Sequence, residues 1–228
     1  MALDVHAPVA VLSGDVVASS SLPLAPRRRL APTLAAATET LRATLGAAAV
    51  PLPVDVYGGD AWQLLLLRPS AALRAALLLR ALLRSDLGDE AGTPVDTRVV
   101  IARGGVDFVS DDRVSRSEGE AFRLSGRALA ALGPRRLAFV PAGRSHLHDW
   151  DVVARLLDVL VSDWTAKQAR AMVGALQGWR QDRIAALWDP PVSQPTVAGH
   201  LRSAHADTVT AAVTAFEARL APLEDEPS

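Results

Sequence analysis

Residues 9–20 read VAVLSGDVVASS, and residues 56–66 read VYGGDAWQLLL. The first begins with four apolar residues and ends at Gly14-Asp15, the pattern of a short, fully buried strand. In the second, Gly58-Gly59-Asp60 separates strand-like runs at 52–56 and 62–67, a hairpin signal because such a turn needs positive φ. Between these stretches, Leu30, Leu34, Leu41 and Leu45 recur at helical spacing and predict a helix over 27–48, with Pro32 near its start. Beyond them, Pro69 and Ser70 open a helix to about residue 85, and Gly88, Gly92 and Pro94 signal a loop. A buried strand follows over 97–102, then a helix over 118–132 and a short strand over 136–140. The order β-α-β-β-α-β with a further helix predicts an α+β, ferredoxin-like antiparallel sheet covered by helices.

From His148 onward the pattern becomes all helical. Trp150, Val153, Leu157 and Leu160 form one apolar stripe, suited to packing on its own chain or to a dimerisation helix. The predicted division is a first domain over 1–142 and a helical domain over 143–228, ending in an acidic tail at 224–226. Half of the 228 residues are hydrophobic and 21% are charged, which suits a packed core and excludes a disordered chain. There is no cysteine, so disulfide frameworks, thiolate zinc sites and cysteine nucleophiles are excluded. The net charge of -1 confines any nucleic-acid affinity to a local patch. No apolar run approaches the roughly 20 residues that span a bilayer, and no secretory signal is present, which predicts a cytoplasmic chain without a membrane partner.

Two aspartates carry the first chemical signal. Asp15 follows the first strand and Asp60 lies in the hairpin, and a ferredoxin-like sheet brings both toward one edge. Two carboxylates without a basic partner raise a pKa or recruit a divalent cation, and magnesium suits one or two carboxylates plus substrate phosphates. Ser19, Ser20 and the amides after Asp15 can donate to a phosphate. The alternative is a pair of turn aspartates with no ligand.

VAVLSGDVVASS is similar to the start of class III nucleotidyl cyclase domains, where a strand ends in Asp-Ile-x-Gly-Ser-Thr. VYGGDAWQLLL resembles their second metal motif. TRVVIARGGVDF at 97–108 and EGEAFRLSGRAL at 118–129 resemble their next strand and helix, in the same order. The whole chain resembles the SatD-like family of bacterial proteins. The resemblance implies that Asp15 and Asp60 hold magnesium and that Arg127 steadies phosphates. It fails at two positions: Arg123 stands where an asparagine orients the ribose, and Val56 where a lysine reads adenine. Arg123 and Arg127 are four apart, so both guanidinium groups can lie on one helical face and clamp a polyphosphate, or form a solvated basic edge.

The second signal is helical. Residues 165–177, 180–188 and 193–205 read as three helices, the first opened by a capping box of Thr165 and Gln168. Ile184, Ala185 and Leu187 supply an apolar face, Ser193 caps the last helix, and Val197 and Leu201 face the core. The run resembles the helix-turn-helix of bacterial regulators, with two prolines, Pro190 and Pro191, in the turn. Gln194, Thr196, His200 and Arg202 are the expected base-contacting residues, with Lys167 and Arg180 on phosphates. From residue 167 to 205, five basic side chains oppose two acidic ones, a modest patch that suits a homodimer. His146 and His148 with Asp149 and Asp151 offer no closed metal-ligand set. No catalytic residue beyond Arg127 is suggested. The expected function is a DNA-binding regulator whose cyclase-like part binds a nucleotide or polyphosphate with magnesium. A phosphoryl-transfer enzyme and a plain interaction module are the rivals.

Overall fold

The computed structural model describes residues 7–92, 94–143 and 146–224, so Asp225 and Glu226 of the acidic tail lie outside the described residues. The elements in chain order are β1 (Val9–Val16), α1 (Leu24–Leu45), β2 (Asp55–Tyr57), β3 (Ala61–Leu66), α2 (Ala72–Ala91), β4 (Thr97–Gly104), α3 (Glu120–Ala130) and β5 (Leu137–Pro141). Then follow α4 (Asp149–Ser162), α5 (Ala166–Leu176), α6 (Gln181–Ala185), α7 (Gln194–Ser203) and α8 (Ala206–Leu220). The sheet runs β2-β3-β1-β4-β5. The first four strands are antiparallel and β5 joins parallel to β4. This is the ferredoxin-like order with one strand added, and the C-terminal part is mostly helical.

Alternation along β1 separates the two faces of the sheet. Ala10 and Leu12, with Leu64, Leu66, Val99 and Ile101, meet Leu30, Leu34 and Leu41 of α1 and the buried side of α2. On the other face Val9, Val11 and Leu65 meet Ala121 and Phe122 of α3. There Gln63 donates to the Ser13 hydroxyl (3.1 Å) and Ser13 to Ser125 (2.8 Å), a polar chain that fastens α3 across the sheet.

Two glycines that read as breaks have another use. β1 continues through Gly14-Asp15, and α2 runs past Gly88 to Ala91. A Cβ at Gly88 would sit 3.1 Å from the Ala166 methyl of α5, so the missing side chain lets two helices approach. With α5 on one side and α1 and the sheet on others, α2 is buried almost all round, including Leu73, Leu77, Leu78 and Leu83.

One hydrophobic core crosses the expected boundary at 142/143. It holds Ala10 of β1 together with Leu157 of α4, Met172 of α5 and Phe216 of α8. Phe216 meets the rings of Phe139 and Trp150 edge-on at 5.3 and 5.2 Å. Of the expected α4 stripe, Leu157 is buried and Trp150 and Val153 pack partly, while Leu160 is only half-buried. Val152, Leu156 and Val159 form a second apolar line that faces solvent.

Polar groups are also buried in this core. Arg80 and Arg84 of α2 are fully enclosed, and both reach Asp96, just before β4. Arg80 donates to both Asp96 oxygens (3.0 and 2.7 Å) and to Asp158 of α4 (2.9 Å). Arg84 donates to Asp96 at 2.6 Å and to the carbonyls of Ser162, at 2.8 Å, and Trp164. Arg136 adds a third guanidinium on Asp96 at 3.0 Å. Burial alone would raise the Asp96 pKa, but Arg80, and after it Arg84, outweigh that and hold it at about 2. Because the folded-state pKa lies below the ordinary 3.8, Asp96 stabilises the fold above about pH 4, and this contribution disappears as the pH falls toward 2. Asp96→Asn leaves three arginines without their shared charge, so urea unfolding at pH 7 is expected to show a loss of about 3–5 kcal/mol. The difference between wild type and variant should shrink as the pH is lowered from 4 toward 2.

Candidate functional site: a cleft at the end of the central strand

β1 and the β2–β3 hairpin bring the two aspartates together as expected. Asp15 pairs in register with Ala61, beside Asp60, and the Val16 amide donates to the Asp60 carbonyl at 3.2 Å. The backbone then turns away: Val17 donates to the Asp96 carbonyl (2.9 Å), Ala18 takes a left-handed conformation, and residues Ser19–Ser21 form a single 3-10 turn. Asp15, Ser19, Ser20, Asp60, Arg98 and Arg136 line one open cleft of about 570 Å³, completed by Gly133 and Pro134 of the turn before β5.

The premise of two carboxylates without a basic partner fails at Asp15. Arg98, opposite Asp15 in the β1–β4 register, grips both carboxylate oxygens, Nε to Oδ1 at 2.7 Å and Nη2 to Oδ2. The Asp15 hydrogen bond in turn holds the Arg98 pKa above its ordinary value. Thr97 fastens the Asp15 backbone, its hydroxyl donating to the Asp15 carbonyl at 2.7 Å and receiving the Trp62 indole N–H at 2.8 Å. Asp60 differs: Ser19 donates to its Oδ2, and no cation pairs with it among the described residues.

Arg98 and Arg136 are the functional candidates that sequence reasoning missed. The usable signal for Arg98 was an arginine within an otherwise apolar strand, facing a strand-end aspartate. Arg136 carried no comparable mark, because its link to Asp96 is long-range.

Arg123 and Arg127 do not join this cleft. Both are exposed on α3, and Arg123 pairs with Asp107 at 2.9 Å, so the polyphosphate clamp is not formed around Asp15 and Asp60. Val56 packs against the core. His146 and His148 gather no metal set: Asp151 is held by Arg135 (2.7 Å) and the Phe139 amide (3.2 Å), and His148 contacts the Gly143 carbonyl. Among the described residues, no group of three or more His, Asp or Glu stands ready to hold a metal ion. Of the two aspartates, Asp60 is the one that fits a magnesium ion, because its second carboxylate oxygen takes no hydrogen bond or ion pair among the described residues. The ion does not fit at Asp15 while Arg98 holds both oxygens.

The second candidate region forms from α5, α6 and α7. The Thr165–Gln168 capping box is present, and Ser193 caps α7 by accepting from the Thr196 amide. Ile184, Ala185 and Val197 are buried together against Ala171, and Leu201 packs partly beside them. Gly174 has no room for a Cβ against Ile184, which brings α5 close to α6. Gln194, Thr196 and Arg202 are exposed, as are Lys167 and Arg180. His200 is half-buried and stacks its ring on Trp188, with centroids 5.7 Å apart and planes 9° apart. Among the described residues no helix is long and apolar enough to cross a membrane.

No family model matches the chain, and no curated protein does. Among solved structures it is similar to the guanylyl cyclase Cya2, at 14% identity and a TM-score of 0.39, over 54% of this chain and 70% of that one. It is similar to a bacterial light-regulated adenylyl cyclase at 18% identity and 0.38, over 58% of this chain but only 43% of the other. For the adenylyl cyclase CyaB from P. aeruginosa the values are 17% and 0.34, over 55% and 72%. The chain thus spans less than half the length of the light-regulated protein.

The close packing around Asp15 is directly testable. A Cβ at Gly14 would collide with the Arg98 carbonyl oxygen and the Trp62 ring. Gly14→Ala is therefore expected to cost about 1–3 kcal/mol in urea unfolding, the usual penalty for overpacking, whereas Gly199→Ala, with open space around it, should not.

Proposed function

We propose that this chain is a nucleotide-responsive regulator whose cleft at the end of β1 binds a nucleoside polyphosphate. The observation that carries the reading is the convergence of four separate segments on one open cleft. The loop after β1 supplies Ser19 and Ser20, the hairpin supplies Asp60, β4 supplies Arg98, and the turn before β5 supplies Arg136. The amides of Ala18, Ser19 and Ser20 make no backbone hydrogen bond among the described residues and are available to phosphate oxygens. Arg136 shares Asp96 with two other guanidinium groups, so part of its charge is uncompensated and faces the cleft. Magnesium arriving with the nucleotide would be held by Asp60 and would neutralise phosphate charge there. Asp60 and Ser19 orient that end of the ligand, and Arg136 holds the phosphates from the opposite wall.

Cyclase chemistry has less support. Val56 offers no hydrogen bond to a base, Arg123 is paired with Asp107, and Asp15 is paired with Arg98. A second role for the helical part is favoured by the seating of α7, which turns Gln194, Thr196 and Arg202 outward over a buried Val197. These side chains have the donors and acceptors that base edges require, and Lys167 and Arg180 suit phosphates. Two copies would be needed for two half-sites, and the exposed line of Val152, Leu156 and Val159 is available to such a homodimer. Asp96 supplies a physical link between cleft and helices, because it touches Val17 and Arg136 on one side and shares Arg80 with Asp158 on the other.

Calorimetry with ATP and magnesium is expected to register binding without turnover, and chromatography to find no cyclic product. Asp60→Asn should weaken binding more with magnesium than without it. Arg136→Ala, checked for its fold by circular dichroism, should cost roughly 1.5–3 kcal/mol of affinity, the worth of a charged hydrogen bond. Unchanged affinity in both variants rejects the cleft as the nucleotide site. For the DNA reading, Arg202→Ala should relax specificity at one or two base pairs by roughly 1–3 kcal/mol, while Lys167→Ala weakens all duplexes alike and lowers the salt slope by about one unit. Equal, salt-insensitive binding of promoter and random duplex would remove DNA from the function.

A further inference from the structure

We propose that Arg98 is the resident counter-cation of Asp15 and denies that carboxylate to a divalent metal ion, leaving Asp60 as the cleft's one metal-accepting side chain. The inference deepens the nucleotide reading above and rests on it for the arrival of metal with a ligand. Three features carry it. The grip is two-pronged, Nε on Oδ1 at 2.7 Å and Nη2 on Oδ2, the arrangement in which arginine binds a carboxylate best. It is set by backbone register, since Asp15 and Arg98 face each other across β1 and β4, and the neighbouring Thr97 ties the Asp15 carbonyl at 2.7 Å. The pair is also sheltered, with side chains 24% and 33% exposed, so water screens it only in part.

A guanidinium cannot lose its proton in a protein, so a divalent ion approaching Asp15 meets a fixed positive charge that titration cannot relieve. At Asp60 the only side-chain partner among the described residues is the neutral Ser19 hydroxyl, which can turn to make room. One carboxylate plus ligand phosphates is enough to hold a magnesium ion, but it does not hold a second ion beside the first. Metal-assisted displacement that uses two ions clamps the attacking and leaving oxygens between them. With Asp15 occupied, that arrangement is closed, which is the reason binding without turnover is the expected outcome.

The test uses Mn²⁺ alone as a paramagnetic probe on the full chain, with no nucleotide, free ion being counted by electron paramagnetic resonance. Wild type and the charge-balanced double variant Arg98→Gln/Asp15→Asn should bind Mn²⁺ alike. Asp15→Asn, which leaves the Arg98 charge uncancelled, should bind no more tightly than wild type, and Asp60→Asn should lose the wild-type binding. Arg98→Gln should bind Mn²⁺ at least about tenfold more tightly, the low end of what an adjacent opposite charge does to a carboxylate. That gain should vanish in the double variant Arg98→Gln/Asp15→Asn. Should Arg98→Gln fail to fold, Arg98→Lys, which keeps the charge but not the two-pronged grip, is expected to show a smaller gain in the same direction. Weaker Mn²⁺ binding in the double variant Arg98→Gln/Asp15→Asn than in wild type overturns the inference, as does an Arg98 variant that folds and binds no more tightly. Silent calorimetry with ATP would reject the nucleotide site, while these metal titrations would still decide the role of Arg98.

Discussion

Asp96 is the point on which the structure turns. One buried carboxylate, placed just before β4, takes hydrogen bonds from Arg80, Arg84 and Arg136 and from the Thr97 amide, while its carbonyl receives the Val17 amide. Three guanidinium groups around Asp96 and Asp158 leave the cluster with one excess positive charge. A buried cluster of this kind adds little net stability over an apolar core of equal volume, but removing one member is costly. Its effect is to fix geometry: α2, β4, the start of β5 and the α4–α5 corner are held in one relation because each contributes a group that would otherwise be buried without a partner.

The cleft inherits its character from that arrangement. The loop that carries Ser19 and Ser20 leaves β1 over the Asp96 carbonyl, and Arg136 reaches the same cleft from the Asp96 carboxylate. The wall nearest Asp96 is therefore positively biased, and the hairpin side, with Asp60 free of cations among the described residues, is negatively biased. Asp15 contributes almost no net field because Arg98 cancels it at contact distance. Such a polarised cleft suits a ligand that brings both phosphate and a cation, and suits a bare polyanion less well.

Part of this was legible in advance because it depends on local pattern. The βαββαβ order, the hairpin at Gly58-Gly59, the capping box at Thr165 and the meeting of Asp15 with Asp60 all follow from periodicity, turn chemistry and one topological rule. Gly14 and Gly88 were illegible for the opposite reason. A glycine reads as a terminator when only its own neighbours are considered, whereas here each is required by a distant element, Trp62 with the Arg98 carbonyl in one case and Ala166 in the other. Arg80 and Arg84 are interior as well, although arginine beside an apolar run ordinarily faces solvent. The stacking of His200 on Trp188, which the turn before α7 brings back, was likewise not legible from neighbouring residues.

The sequence by itself determined the strands, the helices, their order, and which two carboxylates would share the end of the central strand, because alternation, helical spacing and turn residues act over a few positions. Only the tertiary structure decided the charge pairing at that end. Whether a carboxylate stands free or paired depends on which cation lies within a few ångströms, and the partners, Arg98 for Asp15 and three arginines for Asp96, come from segments that are brought close only by the register of β1 on β4 and by the packing of α2, α4 and β5. Electrostatic pairing falls off with distance in space and takes no account of distance along the chain, so it is fixed only by the way the sheet and its helices pack.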